Sequence, residues 1–354
     1  MKKLFFSLVA AIVAATATYA QGSLLATLSH DGNISAFYGA NALKSAVNAA
    51  ENGDAITLSS GQFNAVNITK AIILRGAGMS ISTDSINPHE SSIIQGAFTI
   101  NVPDSIEDRL TMEGLYVNGG ITYSGKLRNA QFLKCRFQNF IAATSALITN
   151  TTFIHCRFYD GYTQNANSNA YFINCLVCSP RNAESSSMEF DNCFVKFDDE
   201  SNYGCCTDKV VNTYYKNCII QNTSYHYSRS SSSRMIPYNC TAYNCVGLGN
   251  FDIFSNMSSK NTTNRYVNSI GLVFKTYSAT SYSTYINDSH SFELTETAAT
   301  TYLGTDGTQV GIFGGNLPYD ENPTIPQITK CNVASKSTAD GKLSVDIEVK
   351  AAEY

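Results

Sequence analysis

The chain has 354 residues, with 24 Lys and Arg against 28 Asp and Glu, a net charge of −4 and only 15% charged residues. With no basic face or tail, that balance argues against nucleic acid or an anionic membrane as partner. The surface must be covered largely by Asn, Ser, Thr and Tyr, and with 21 Tyr but no Trp any stacking on a sugar ring falls to tyrosine.

Met1-Lys2-Lys3, the apolar run Leu4 to Ala15 and the small residues ending Thr18-Tyr19-Ala20 read as a signal peptide over 1–20. A secreted protein is expected: periplasmic, extracellular or on the cell surface, its mature chain beginning at Gln21. The apolar run is too short for a comfortable membrane span, and no later stretch approaches one. Over 21–54 the sequence predicts an N-terminal cap. Leu43, Ala46, Val47 and Ala50 recur at helical period, and Asn52-Gly53 ends the helix. A helix there shields the core and strand edges that an open solenoid end would expose.

The central chain repeats. Asn129 to Phe137, Asn150 to Phe158 and Asn169 to Val177 are near-copies aligned on Cys135, Cys156 and Cys175, and looser copies surround Cys193, Cys218 and Cys245. From Leu115 through those cysteines to Ser269 the spacings are 20, 21, 19, 18, 25, 27 and 24. Periods near twenty mark a solenoid. The Leu-x-x-Leu-x-Leu frame of leucine-rich repeats is missing, whereas short runs of alternating aromatic or β-branched and polar residues favour strands. These features predict an all-β fold, a right-handed parallel β-helix over 55–290 with roughly nine or ten rungs.

The residue before each cysteine position is Gly114, Lys134, His155, Asn174, Asn192, Asn217 and Asn244. Gly and Asn tolerate positive φ, so this column is a left-handed bend between two strands, and His155 reads as a substitute for Asn rather than a catalytic group. Phe132, Phe153, Phe172, Phe190 and Tyr215 then form one inward ladder, the cysteines a second, and Phe137, Phe158, Val177, Val195 and Ile220 a third. The eleven cysteines of an exported chain suggest disulfides. Parallel side chains on stacked rungs are poorly aimed for that bond, so a reduced, core-filling ladder is expected, with no convergence on a metal.

From Ala46 to Gly78, the order Ala-Val-x-x-Ala, Gly53-Asp54-x-Ile56-x-Leu58-x-x-Gly61-x-Phe63, Ile68-x-Lys70-x-Ile72-x-Leu74-x-Gly76-Ala77-Gly78 resembles the opening rungs of the pectin lyase-like superfamily. The tail over 304–354 resembles the C-terminal segments of secreted β-helix proteins of Bacteroidetes type, which implies an uncharacterised secreted member of that kind. The resemblance implies the fold and leaves the activity open. The paired Asp, Gly-His-Gly and Arg-x-Lys of polygalacturonases are not assembled here, nor are the pectin methylesterase segments, and no pectate lyase motif is recognisable. Over 291–354 a C-terminal β cap or appendage is expected. Within it Leu343 to Val349 alternates as a half-buried strand after the Asp340-Gly341 turn.

Two functions compete on this reading. One is a carbohydrate-binding or adhesin-type protein that meets a polysaccharide or cell-surface glycan along the flat side of the solenoid with Tyr, Asn and Arg. The other is a polysaccharide lyase or glycoside hydrolase acting on an acidic glycan. The candidate ligand-binding residues are Arg136 and Arg157, stacked one rung apart and suited to a uronate or sulfate, with Asp160 nearby to offset their repulsion. They are joined by Asp198, Asp199, Glu200 and Asp208 in the longer loop after Cys193, and by Tyr225 and Tyr227 beside a serine-rich run. The acidic loop is a candidate Ca²⁺ site; the plainer reading is a solvated loop. No other cofactor is implied.

Overall fold

The structure is a computed structural model, which describes residues 24–80, 91–103, 106, 109–165, 167–182, 185–197, 212–222, 240–249, 252–257, 259–260, 263–278, 290–323, 326–333, 340–342 and 344–350. Parallel strands stack into a right-handed β-helix. The first sheet runs from Ala55–Leu58 through Gln131–Leu133, Thr151–Ile154 and Asn169–Ile173 to Ser259–Lys260. The second runs from Gly61–Asn64 through Arg136–Ala142, Arg157–Gln164 and Leu176–Cys178 to Arg265–Val267. Each rung passes from the first sheet to the second through the bend column. Gly114, Lys134, His155, Asn174, Asn192, Asn217 and Asn244 all have φ between 48° and 63°, the left-handed conformation that Asn and Gly tolerate best.

The inward ladders form as expected. Phe132, Phe153, Phe172, Phe190 and Tyr215 are buried and stack with centroid separations of 4.8, 5.0, 4.6 and 5.3 Å, near the spacing of paired strands. The cysteine ladder has a backbone role that composition alone does not reveal. At three successive bends the sulfur of the following rung lies against one backbone N–H and one backbone carbonyl of the rung before it. Cys175 Sγ accepts from Cys156 N–H at 3.3 Å and lies 3.3 Å from Phe153 O. Cys193 Sγ does the same for Cys175 N–H and Phe172 O, and Cys218 Sγ for Cys193 N–H and Phe190 O. Cys135, Cys156, Cys175, Cys193, Cys218 and Cys245 are all buried thiols outside any disulfide. Burial pushes the Cys156, Cys193 and Cys245 thiols up.

The last rung departs from the expected alignment. Val246 pairs with Arg265, so Asn264, not Ser269, follows Cys245 in the column. Asn264 takes over the work of the sulfur. Its Oδ1 accepts from Cys245 N–H at 2.9 Å and its Nδ2 donates to Ala242 O at 2.8 Å.

At the N-terminal end, a hairpin of Leu25–His30 and Asn33–Tyr38 adds two antiparallel strands to the first sheet. The expected helix spans Ala42–Ala49 and buries Ala42, Leu43, Ala46 and Val47. His30 Nδ1 lies 2.9 Å from Asp54 Oδ1 and ties the hairpin to the first rung.

The chain after the last rung runs along the side of the solenoid. The first outward residue of each second-sheet rung is Arg136, Arg157, Leu176, Phe194, Ile219 and then Val246. The last four are apolar and pack under Phe274, Phe292, Leu294, Val310, Ile312 and Tyr319 as a second hydrophobic core. Beyond it, Gln327–Val333 pairs antiparallel with Val345–Lys350. That last strand alternates as expected, but its apolar face is exposed rather than half-buried: Val345, Ile347 and Val349 are at least 50% accessible.

Candidate functional site

Arg136 and Arg157 lie directly opposite each other on successive rungs, yet their environments differ. Arg136 is clasped between aromatic rings, its guanidinium 4.1 Å from the Tyr116 centroid and 4.5 Å from that of Tyr159. Arg157 is buried beneath the C-terminal segment. Its Nε donates to the Tyr319 hydroxyl at 2.5 Å and its Nη2 pairs with Glu321. Burial opposes the charge on Arg157, but the Tyr319 and Tyr159 oxygens hold its pKa above the ordinary value. Asp160 is not the companion of these arginines that proximity in sequence suggests; it accepts from Gln138. Asp198, Asp199, Glu200, Asp208, Tyr225 and Tyr227 lie outside the described residues.

What covers Arg157 is a strap over 304–323, and the bend column holds it. Asn217 N–H groups and oxygens meet its start, with Thr305 N–H donating to Oδ1 at 3.0 Å and Gly311 N–H to the Asn217 carbonyl at 2.8 Å. Asn174 Nδ2 donates to Ile312 O and Gly314 O at 2.7 and 2.8 Å. Gly315 has φ 77° and passes so close that a Cβ there would sit 2.2 Å from Asn192 Nδ2. His155 Nε2 lies 3.0 Å from Leu317 O; a carbonyl only accepts, so Nε2 carries the proton. Lys134 Nζ reaches Asp320 Oδ2 at 2.7 Å and Asn322 O at 2.9 Å. The left-handed bends thus turn their side chains outward, and the strap runs back along them rung by rung.

The outer face of the first sheet carries exposed tyrosines. One outward column is Tyr171, Glu189, Tyr214, Thr241 and its neighbour is Ile173, Asp191, Lys216, Tyr243. Tyr214 and Tyr243 are 37% and 36% accessible with centroids 5.5 Å apart. Asn169 Nδ2 donates to the Tyr171 hydroxyl at 3.2 Å, and Lys216 Nζ pairs with Asp191 Oδ2 at 3.1 Å. Partial burial and the neighbouring Tyr243 raise the pKa of Tyr214, so it presents a neutral ring and a donor hydroxyl. Such a face offers stacking surface, donors and a carboxylate on a rigid frame. Sequence reasoning passed over Tyr214 and Tyr243 because it followed the inward columns; their signal is that they alternate with the inward Tyr215 and Ala242.

A smaller cleft of about 210 Å³ lies between Asn244, Thr263 and Arg265 of the last rungs and Thr301, Tyr302 and Val310 of the C-terminal layer. Among the described residues no three His, Cys, Asp or Glu gather to hold a metal, and no helix is long and apolar enough to cross a membrane. No protein-family model, curated protein or solved structure matches the chain.

Proposed function

We propose that the protein binds a polysaccharide or cell-surface glycan on the outer face of its first sheet, as an exported, adhesin-type member of the pectin lyase-like superfamily. The observation that carries this reading is the pair Tyr214 and Tyr243, open to solvent on consecutive rungs. An aromatic face takes the apolar side of a sugar ring, and polar groups beside it set the orientation. Glu189, Lys216 and the Tyr171 hydroxyl supply those groups. Arg157 is withdrawn from this role by the strap, so the stacked arginines do not form the open gripping pair that their spacing suggests.

The test is a glycan array with the parent protein, followed by titration of Tyr214→Ala and Tyr243→Ala against any ligand found. Each is expected to weaken binding by about 0.5–1.5 kcal/mol, the worth of an aromatic contact. The same ligands are assayed for unsaturated sugar product, whose release would replace binding with a lyase activity. A parent that binds no glycan, or variants that bind as the parent does, would remove the proposal.

A further inference from the structure

The N-terminal hairpin presents an open strand edge. Asn33–Tyr38 is the outermost strand of the twelve-stranded sheet and, among the described residues, pairs only with Leu25–His30. Its sequence, Asn-Ile-Ser-Ala-Phe-Tyr, holds no charge and no proline, and its pairing runs through six residues without a bulge. Proteins usually protect such edges with lysine, proline, a bulge or a covering element. Here five of the six residues are exposed, Ile34 at 76% and Tyr38 at 68%. Phe37 alone is partly buried against the core.

The hairpin geometry says which backbone groups face outward. Asp31 and Gly32, with φ of 46° and 78°, form a two-residue turn of the primed type. The pair flanking such a turn, His30 and Asn33, exchanges hydrogen bonds, and bonding then alternates along the hairpin. Asn33, Ser35 and Phe37 therefore address Leu25–His30. Ile34, Ala36 and Tyr38 point their N–H and carbonyl groups at the open edge.

We propose that this edge joins a second copy of the chain, antiparallel, about a two-fold axis that passes midway between the two copies of Ala36. An axis perpendicular to the sheet keeps each face on its own side, so residues of the same parity must oppose each other. With Ala36 opposite its counterpart, Ile34 of each copy falls opposite Tyr38 of the other. All three outward-facing residues then find bonding partners, and the exposed large apolar side chains Ile34 and Tyr38 form β-branched–aromatic cross-strand pairs twice over, a favourable combination. The contact is isologous and closed, and it carries the first sheet from one solenoid into the next, with the two glycan-facing sides in line.

Sedimentation velocity over a concentration series up to about 100 µM, a range that detects micromolar association, is expected to show a monomer–dimer equilibrium. Ala36→Pro removes an outward N–H and Ile34→Lys places a charge on the edge; each is expected to be monomeric with the parent's circular dichroism and melting temperature. Register is read separately by mild oxidation of Ala36→Cys and Ser35→Cys. Opposed Cα atoms in a bonded pair sit about 5.5 Å apart, within disulfide reach, so Ala36→Cys should give a covalent dimer and Ser35→Cys should not. A parent that stays monomeric, a dimer that survives both edge variants, or cross-linking through Ser35→Cys in place of Ala36→Cys overturns the proposal.

Discussion

Arg157 and Tyr319, 162 residues apart in the chain, meet through an Nε to hydroxyl hydrogen bond of 2.5 Å inside the protein. The contact joins a residue of the repeat to the strap that covers it, and both partners are buried. Tyr319→Phe keeps the ring and removes the acceptor from a charged donor. It is expected to lower the unfolding free energy by about 1.5–3 kcal/mol, read by urea denaturation. An unchanged midpoint would mean that Tyr319 only fills space.

The bend column does two jobs, and they separate at Asn174. Asn174→Gly keeps the left-handed backbone but removes the donor to Ile312 O and Gly314 O. Asn174→Ala removes the donor and also places a Cβ in the left-handed region, adding about 1–2 kcal/mol. Alanine is thus expected to melt below glycine, the reverse of their order in an ordinary strand. Equal melting would show that the conformation carries no strain.

Acid should loosen the strap. Burial works to raise the pKa of Asp320, but donation from Lys134 and from Asn322 N–H, with His155 nearby, holds it below the usual 3.8. A carboxylate with a lowered folded pKa contributes stability that is complete above its unfolded pKa and lost as pH falls through the folded one. Hydrogen exchange of 304–323, corrected for intrinsic rates, is expected to be slow at neutral pH and to accelerate below 3.8. Asp320→Asn should exchange faster at neutral pH and show a weaker acid response. Protection that persists unchanged in acid would count against the latch.

The cysteine ladder makes a further prediction. Cys175→Val fills similar space but leaves Cys156 N–H without its sulfur acceptor. Leaving a buried polar group unsatisfied costs about 1–3 kcal/mol, so Val is expected to be clearly less stable than Cys175→Ser, which retains a donor and an acceptor. If Val proves the more stable in urea, the sulfurs serve as apolar filler alone.

Much of the solenoid was legible because its information is local and repeated. The aromatic, cysteine and bend columns recur near every twenty residues, and each has a physical need at its own rung: an apolar wall, a small inward group, a residue that accepts positive φ. The helix at Ala42–Ala49 was readable for the same reason, since its apolar period lies within one short segment. At the end of the stack the column position falls at Asn264, five residues before the Ser269 that the spacing suggests, because the register depends on Asn264 bonding to Cys245 N–H and Ala242 O.

The sequence by itself determined the repeating rung, the left-handed bends and the inward ladders, all properties of neighbouring residues and of the strand period. Only the tertiary structure decided what lies against the outside. Arg136 and Arg157 occupy equivalent places, yet Tyr116 and Tyr159 clasp one and Tyr319 and Glu321 cover the other. No local pattern announces that the strap will run back from Asn217 to Lys134. Its course is set by burial of Leu176, Phe194, Ile219 and Val246, whose need for cover becomes apparent only when successive rungs stack them into one apolar face.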